Sequence, residues 1–160
     1  MTTNESKKLS VKELLFAISL ILAGITLLTL AMNCYKTLLL NNTLVENVSC
    51  LQMLKNLFDG TYTDHIEILP SLLYLITIIV SGLYLLLGLA KVIGSKIPQL
   101  VFTILCYILV VSAISAFICA NIYVYVLKTI QTYSVASIGL YVTLVSSIVL
   151  TLLYEVARKK

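Results

Sequence analysis

Few side chains in this sequence have the chemistry to bind a metal ion or to catalyse a reaction. Asp64, His65 and Glu67 form the densest group of potential metal ligands. In an extended segment neighbouring side chains point to opposite sides, so these three converge only where the chain turns. A solvated loop is the favoured interpretation. The sequence also lacks a phosphate-binding loop, a nucleophile elbow and a Cys-x-x-Cys pair, so it predicts no metal site, no cofactor and no enzymatic activity.

The chain contains four cysteines. Cys34 and Cys50 lie in the same polar segment, and they could form a disulfide if that segment is outside the cytoplasm. The closeness of Cys34 to an apolar run leaves the free-thiol alternative open. Cys106 and Cys119 lie within an apolar run, where we expect them to be small packing residues.

Two triplets in the same polar segment match the acceptor sequence for N-glycosylation. They begin at Asn41 and Asn47. Such triplets also arise by chance in AT-rich coding sequence, and they matter only in an organism whose secretory pathway uses them. Asn41 and Asn47 are therefore candidates that depend on the source.

The elements that hold these side chains are four long runs without a charged residue. The runs cover residues 14–32, 71–90, 100–127 and 137–154. A helix of about 20 apolar residues crosses ~30 Å of hydrocarbon. The sequence is 60% hydrophobic and 11% charged, whereas a soluble domain is about 25% charged. These features predict an all-α membrane protein, one domain over residues 1–160 that forms a four-transmembrane-helix bundle. A cleaved signal peptide would have a shorter apolar region than the first run.

Positive charge predicts how the helices are oriented. Outer loops over residues 33–70 and 128–136 would contain three basic residues, and the inner loop 91–99 and both terminal segments would contain eight. Cytoplasmic segments carry an excess of Lys and Arg. We therefore expect both termini in the cytoplasm and the protein in the cell membrane. The sequence has no basic face with interleaved aromatic residues, so it does not indicate nucleic-acid binding.

A short amphipathic helix is predicted in the first outer loop. Ser49 and Gln52 have the spacing of a capping box. Leu51, Leu54 and Phe58 share one face of the predicted helix. We expect this helix to lie on the membrane surface or over the bundle.

Small residues recur every four positions on the last two predicted helices, and each stripe lies on one helical face. Helices in lipid approach closely through small residues and weak polar bridges. We expect both stripes to be packing seams that could face each other. A hydroxyl-lined pore is the alternative, although no charge ring or carbonyl filter accompanies it. The seam residues are Ser112, Ala116, Ala120, Gly139, Thr143, Ser147 and Thr151.

Other polar side chains are expected near the membrane interfaces. Asn121 is placed about two turns from the outer end of its helix, where it would bond another helix or reach towards the headgroups. Tyrosines at headgroup level form the usual aromatic belt. The belt would contain Tyr35, Tyr74, Tyr123, Tyr125, Tyr133 and Tyr141 at the outer interface and Tyr154 at the inner one.

This layout resembles that of the claudin and peripheral-myelin-protein type of four-helix membrane proteins. The shared features are the length, one long outer loop after the first helix, a short inner turn, and the closing stretch IGLYVTLVSSIVLTLLYEVARKK. The chain has no tryptophan, so it lacks the outer-loop Trp-Gly-Leu-Trp motif of that family. Cys34 and Cys50 also stand farther apart than the cysteine pair of the family. Uncharacterised four-helix proteins share the layout, and no functional residue is transferred.

The absence of ionisable residues from the four runs disfavours a pump, a coupled transporter or an intramembrane enzyme. We expect a structural, adhesive or accessory-subunit role, exerted through helix packing and the first outer loop. The alternative is a small oligomeric channel or transport component. The expected partners are the lipid bilayer and either other membrane proteins or further copies of this chain.

Overall fold

The structure, a computed structural model, describes residues 10–39, 44–61, 65–126 and 132–159. These residues form long helices and a small sheet at one end of them. The elements are α1 Val11–Leu28, followed by a 3-10 turn Thr29–Ala31, β1 Asn33–Leu39, β2 Leu44–Ser49, α2 Cys50–Phe58, α3 His65–Val92, α4 Gln99–Val126, β3 Thr132–Ala136 and α5 Ile138–Lys159.

Four helices are long and apolar enough to cross a membrane: α1 with its 3-10 turn, α3, α4 and α5. Their mean hydropathy lies between 1.8 and 2.6. Each overlaps one of the four uncharged runs, so the prediction of a mostly helical chain with four apolar helices is confirmed. Because successive long helices run in opposite directions, one end of the bundle carries the sheet. The other end carries Lys91 and Lys96, and we call these the sheet end and the basic end.

Local sequence signals determine where several helices begin and end. Ser10 and Glu13 form a reciprocal capping box at the start of α1, with nitrogen–oxygen distances of 2.9 and 3.2 Å. After α2 and α3 the chain turns through Gly60 and Gly94, whose φ angles are 68° and 113°. Positive φ favours glycine, and such residues end helices by redirecting the backbone.

The prediction of an all-α fold is wrong in one respect, because the two segments expected to be outer loops form a three-stranded sheet. The strand order is β2-β1-β3, and both pairings are antiparallel. β1 therefore lies between its hairpin partner and a strand from far along the chain. Pairing satisfies backbone groups of both segments. The strands are short, and the β1–β3 pair joins segments that are distant in sequence. The sequence pattern within one segment therefore did not reveal the sheet.

The long helices place small hydroxyl side chains inside and large aliphatic side chains outside. Thirteen Ser and Thr residues are buried among the described residues, whereas Leu, Ile and Val side chains on the outer helix faces are exposed, with Leu86 at 65% and Val111 at 60%. Soluble proteins show the opposite preference for these residue types. An apolar exterior around hydroxyl-mediated contacts is the arrangement expected of helices packed in lipid.

The interior has two apolar clusters with hydroxyl contacts between them. Towards the basic end, Phe16, Tyr84, Phe102 and Tyr154 form an aromatic group whose neighbouring ring centroids are 5.5 to 6.5 Å apart. Towards the sheet end, a second cluster surrounds the cysteines of the polar segment. Between them, hydrogen bonds join α1 to α5, α3 to α4 and α3 to α1, through the pairs Thr26–Ser146 (2.8 Å), Thr77–Ser112 (2.9 Å) and Ser81 with the carbonyl oxygen of Ala23 (3.0 Å).

Ser147 provides a test of packing at the centre of the bundle. Its side chain is fully buried, and its hydroxyl has no hydrogen-bond partner within the described part of the chain. We expect Ser147→Leu to lower stability by ~1–3 kcal/mol, because the extra bulk must displace a neighbouring helix. Ser147→Ala should leave the melting temperature in detergent unchanged or slightly raised, since it removes an unpaired hydroxyl.

Val149 on the same helix is 37% exposed, so Val149→Leu is the matched control and should be tolerated. Thermal unfolding of the purified variants in one detergent measures all three effects. A melting temperature of Ser147→Leu equal to that of the wild type would show that position 147 is not in a packed contact.

Candidate functional site

The sheet end of the bundle is organised around a disulfide between Cys34 in β1 and Cys50 at the start of α2. The two Cα atoms are 4.8 Å apart and the residues are separated by 16 positions. The backbone N–H of Cys50 donates to the carbonyl of Met32 (2.9 Å), and the N–H of Ser137 donates to the carbonyl of Cys34 (2.7 Å). Three separate segments, β1, α2 and the residue before α5, therefore meet at this disulfide.

Gly139 makes the approach of α5 to this disulfide possible. A Cβ atom at this position would lie 2.8 Å from Cys50 Sγ and 2.9 Å from the carbonyl oxygen of Asn33. Both distances are shorter than van der Waals contact, so only glycine fits without displacement of the disulfide or of β1. We refer to Cys34, Cys50, Ser137 and Gly139 as the cysteine junction.

A buried hydroxyl group of three residues lies on the bundle side of the cysteine junction. The hydroxyl of Thr29 is 2.8 Å from that of Tyr74, and the hydroxyl of Thr143 donates to Thr29 at 2.9 Å. All three side chains are nearly or fully buried. Because they belong to the 3-10 turn, α3 and α5, these hydrogen bonds join three of the long elements directly beneath the sheet end.

Helix α2 packs over the cysteine junction with the face that carries Cys50, Met53 and Leu54. Met53 and Leu54 are buried beside Cys50, whereas Leu51 is 61% and Phe58 is 71% exposed. Of the three apolar residues predicted to share one face, Leu54 is buried and the other two are not, because the disulfide holds the Cys50 side of the helix against the bundle. The apolar side chains of Leu51 and Phe58 are consequently left at the surface.

The N-terminus of α2 also differs in detail from the predicted capping box. The Ser49 hydroxyl accepts a hydrogen bond from the backbone N–H of Gln52 at 3.1 Å, which is the expected half of the motif. The Gln52 side chain instead donates to the side-chain oxygen of Asn56 at 2.7 Å. The cap is therefore one-sided, and Gln52 stabilises the helix one turn further on.

All seven predicted seam residues are buried, but the two stripes do not face each other along their length. On α4, Ser112 accepts from Thr77 of α3, and Ala116 and Ala120 lie in the cluster that contains Tyr74 of α3. The α5 stripe makes its contacts in a different order. Gly139 meets the cysteine junction and Thr143 meets the 3-10 turn after α1. Ser147 is buried with no hydrogen-bond partner among the described residues, and Thr151 donates to the carbonyl of Cys106 on α4 at 3.2 Å.

We use the name sheet platform for β1, β2, β3 and α2, and one of the two glycosylation candidates lies in it. Asn47 is exposed on β2, opposite Lys36 of β1. Asn41 and Asp64 lie outside the described residues. His65 and Glu67, which were interpreted as part of a solvated loop, instead belong to the first turn of α3.

Two of the predicted interfacial tyrosines are interior residues. Tyr74 is fully buried in the hydroxyl group described above. Tyr154 is 3% exposed, and its hydroxyl donates to the carbonyl of Gln99 at 2.9 Å. Tyr141, by contrast, is 48% exposed on the surface of α5. Asn121 donates to the carbonyl of Phe117 within its own helix, at 2.8 Å.

Sequence reasoning missed the interior tyrosines and the contact between Gly139 and the disulfide. A signal for the tyrosines was available, since Tyr74, Thr77 and Ser81 recur on one face of α3 at helical spacing. The contact of Gly139 had no such signal, because it joins segments almost ninety residues apart, from Cys50 to Gly139. No protein-family model matches the chain, and no curated protein or solved structure matches it either.

The cysteine junction predicts that Gly139→Ala is destabilising. The added methyl group must displace the disulfide sulfur or the backbone of β1, and overpacking of this kind costs typically ~1–3 kcal/mol. Gly24 in α1 is the matched control, because a Cβ there would meet nothing within 4 Å.

Gly24→Ala should keep or raise the melting temperature, since alanine favours a helix by about 1 kcal/mol over glycine. Thermal unfolding of both variants under non-reducing conditions separates the effects. Equal melting temperatures for Gly139→Ala and Gly24→Ala would show that α5 does not approach the disulfide closely.

Proposed function

We propose that this protein is a multi-pass cell-membrane protein with a structural, adhesive or accessory-subunit role. Its four apolar helices would cross the bilayer, and the sheet platform would stand outside the cytoplasm as the surface that meets a partner membrane protein or a further copy of the chain. The role is non-enzymatic. The observation that carries the proposal is the construction of the platform, in which strands from two separate segments and a helix are tied by the cysteine junction to the bundle.

The distribution of charge supports this orientation. Lys91 and Lys96 lie at the basic end together with Lys12, Arg158 and Lys159, and cytoplasmic segments are enriched in Lys and Arg. The disulfide at the opposite end supports the same orientation, because disulfides persist in oxidising compartments. The layout that resembles claudin-type proteins is consistent with it as well.

A rigid platform suits recognition better than catalysis or transport. An interaction surface that is already ordered loses little conformational freedom when a partner binds. The cysteine junction supplies that order, because it fixes β1, α2 and α5 to one another. The exposed Leu51 and Phe58 side chains then offer apolar contact area at one edge of the platform.

The alternative role, a small oligomeric channel or transport component, requires a path for the solute. Within the described residues the centre of one chain is filled by the aromatic cluster and by hydroxyls that bond across helices. The hydroxyl side chains face one another and not a lumen. A conduction path would therefore have to lie between copies of the chain, along their exposed aliphatic faces.

Cysteine labelling tests the proposed orientation. Thr61 follows α2 at the sheet end and Ser95 lies in the turn at the basic end, and both are exposed. In a Cys119→Ala background, a membrane-impermeant maleimide added to intact cells should label Thr61→Cys strongly and Ser95→Cys only after the membrane is opened. Labelling of Ser95→Cys in intact cells would reverse the orientation, and equal labelling of both would contradict a spanning bundle.

A second experiment tests the platform as the partner-binding surface. The tagged full chain is purified in mild detergent and the co-purifying membrane proteins, or crosslinked copies of itself, are quantified. Phe58→Ser should reduce recovery roughly tenfold, the effect of removing one buried aromatic contact. The melting temperature should not change, because Phe58 is exposed.

Ile93→Ser is the matched control, since Ile93 is 86% exposed at the basic end. This variant should leave recovery unchanged. Equal recovery from both variants would remove the exposed side of α2 from the interface. Ion flux through liposomes containing only this chain, retained in Phe58→Ser, would favour the channel alternative.

A further inference from the structure

The basic end of the bundle contains a cavity of about 310 Å³ that the proposed function does not use. It lies where the start of α1, the end of α3, the start of α4 and the end of α5 come together. Phe16 and Tyr154 contribute aromatic walls, and Ser10 and Gln99 contribute polar edges. The charged side chains that line it are Lys12, Glu13, Lys91 and Arg158.

Lys91 is held in a defined position at this cavity. Its ammonium nitrogen lies 5.1 Å from the centroid of the Phe16 ring and 5.0 Å from that of the Phe102 ring. Cation–π contacts of this length orient an ammonium group without neutralising its charge. Among the carboxylates whose side chains the structure describes, none forms an ion pair with Lys91, so within this part of the chain the two rings, and not an ion pair, position its charge.

Among the side chains that the structure describes, the lining has an excess of positive charge even when the neighbouring carboxylate of Glu155 is counted. Three of the lining side chains are cationic and one, Glu13, is anionic. The Glu13 carboxylate already accepts from the backbone N–H of Ser10. Arg158 is paired with Glu155 at 2.8 Å, and inclusion of that carboxylate still leaves three cations against two anions. The N-terminus of α4, at Gln99, adds the positive end of a helix dipole.

We infer that this cavity binds the phosphate of an anionic phospholipid headgroup, with Lys91 as the main contact and Lys12 beside it. A phosphate oxygen accepts hydrogen bonds from ammonium groups, and its negative charge would pair with the positive charge of Lys91. Basic pockets between helices at the cytoplasmic surface are the usual form of such sites.

The position of the cavity favours a lipid over a soluble phosphate compound. It lies where the apolar surface of the bundle ends, and the nearby exposed side chains Val11, Leu14 and Leu100 are aliphatic. Acyl chains of a lipid whose headgroup fills the cavity would meet such side chains. The inference rests on the proposed membrane location, since only there is the basic end at headgroup level.

Thermal unfolding of the delipidated full chain in a neutral detergent tests this site. The probes are dioctanoyl phosphatidic acid, dioctanoyl phosphatidylcholine and inorganic phosphate. A ligand that binds only the folded state raises the melting temperature with its concentration. We expect phosphatidic acid to raise that of the wild type at concentrations where the other two probes have no effect.

Lys91→Met retains the aliphatic stem over the two rings and removes the charge, and it should raise the half-maximal concentration of phosphatidic acid roughly fivefold. Lys96→Met is the matched control, because Lys96 lies in the turn that follows α3 but does not line the cavity. It should respond as the wild type does. Lys12→Met tests the site independently if Lys91→Met does not fold, and it should also weaken the response.

Equal responses of Lys91→Met and Lys96→Met would show general surface attraction and overturn the site. An equal effect of phosphatidylcholine would exclude recognition of net negative charge. An equal effect of inorganic phosphate would identify a soluble phosphate compound as the ligand and overturn the lipid assignment. Failure of these arms together with the expected labelling of Thr61→Cys would reject this site and leave the proposed membrane function intact.

Discussion

The central constraint on this bundle is that a hydroxyl removed from water needs another partner, a need that is unmet at Ser147 among the described residues. Burial of an unpaired hydroxyl costs roughly 1–3 kcal/mol, and apolar surroundings offer it no substitute for water. The chain responds by pairing hydroxyls across helices, as in Thr26 with Ser146 and Thr77 with Ser112. Each such bond contributes only about 0.6 kcal/mol in a membrane protein. Their larger effect is on specificity, since another rotation of these helices would separate the pairs and leave each hydroxyl only a carbonyl of its own helix.

The same constraint explains why the sheet end is tied so firmly to the helices. Backbone groups in the two connecting segments need partners as well, and pairing with β1 provides them for both β2 and β3. The Tyr74–Thr29–Thr143 hydrogen bonds continue directly beneath the disulfide. The order of the platform and the packing of the helices therefore depend on the same contacts. Gly139 is the position in these contacts that has no room for a side chain.

The parts of this structure that follow from local patterns were predictable from the sequence. Four uncharged runs indicated four helices, and the seam residues, from Ser112 to Thr151, are all buried because small side chains allow helices to approach. What the sequence did not reveal depends on contacts between distant segments. Contacts between residues that are distant in sequence determine the β1–β3 pairing, the burial of Tyr74 and the rotation of α2 towards Cys50. The two cysteines illustrate the limit of prediction from sequence. Their position in one polar segment made a disulfide feasible, whereas the packing around Gly139 and Ser137 brings them together.

The strand order β2-β1-β3 has a consequence for how such a chain is made. β1 and β2 are neighbours in sequence, so they can pair as soon as the first connecting segment emerges from the ribosome. β3 joins the free edge of β1 only after α3 and α4 have been synthesised, because it follows them in the chain. Until then β1 has an open edge, which is a site where another strand can pair wrongly. Pairing of β3 with β1 thus depends on the placement of α4 and α5, the helices on either side of β3 in the chain, and a chain in which these helices are misplaced keeps β1 with an exposed strand edge.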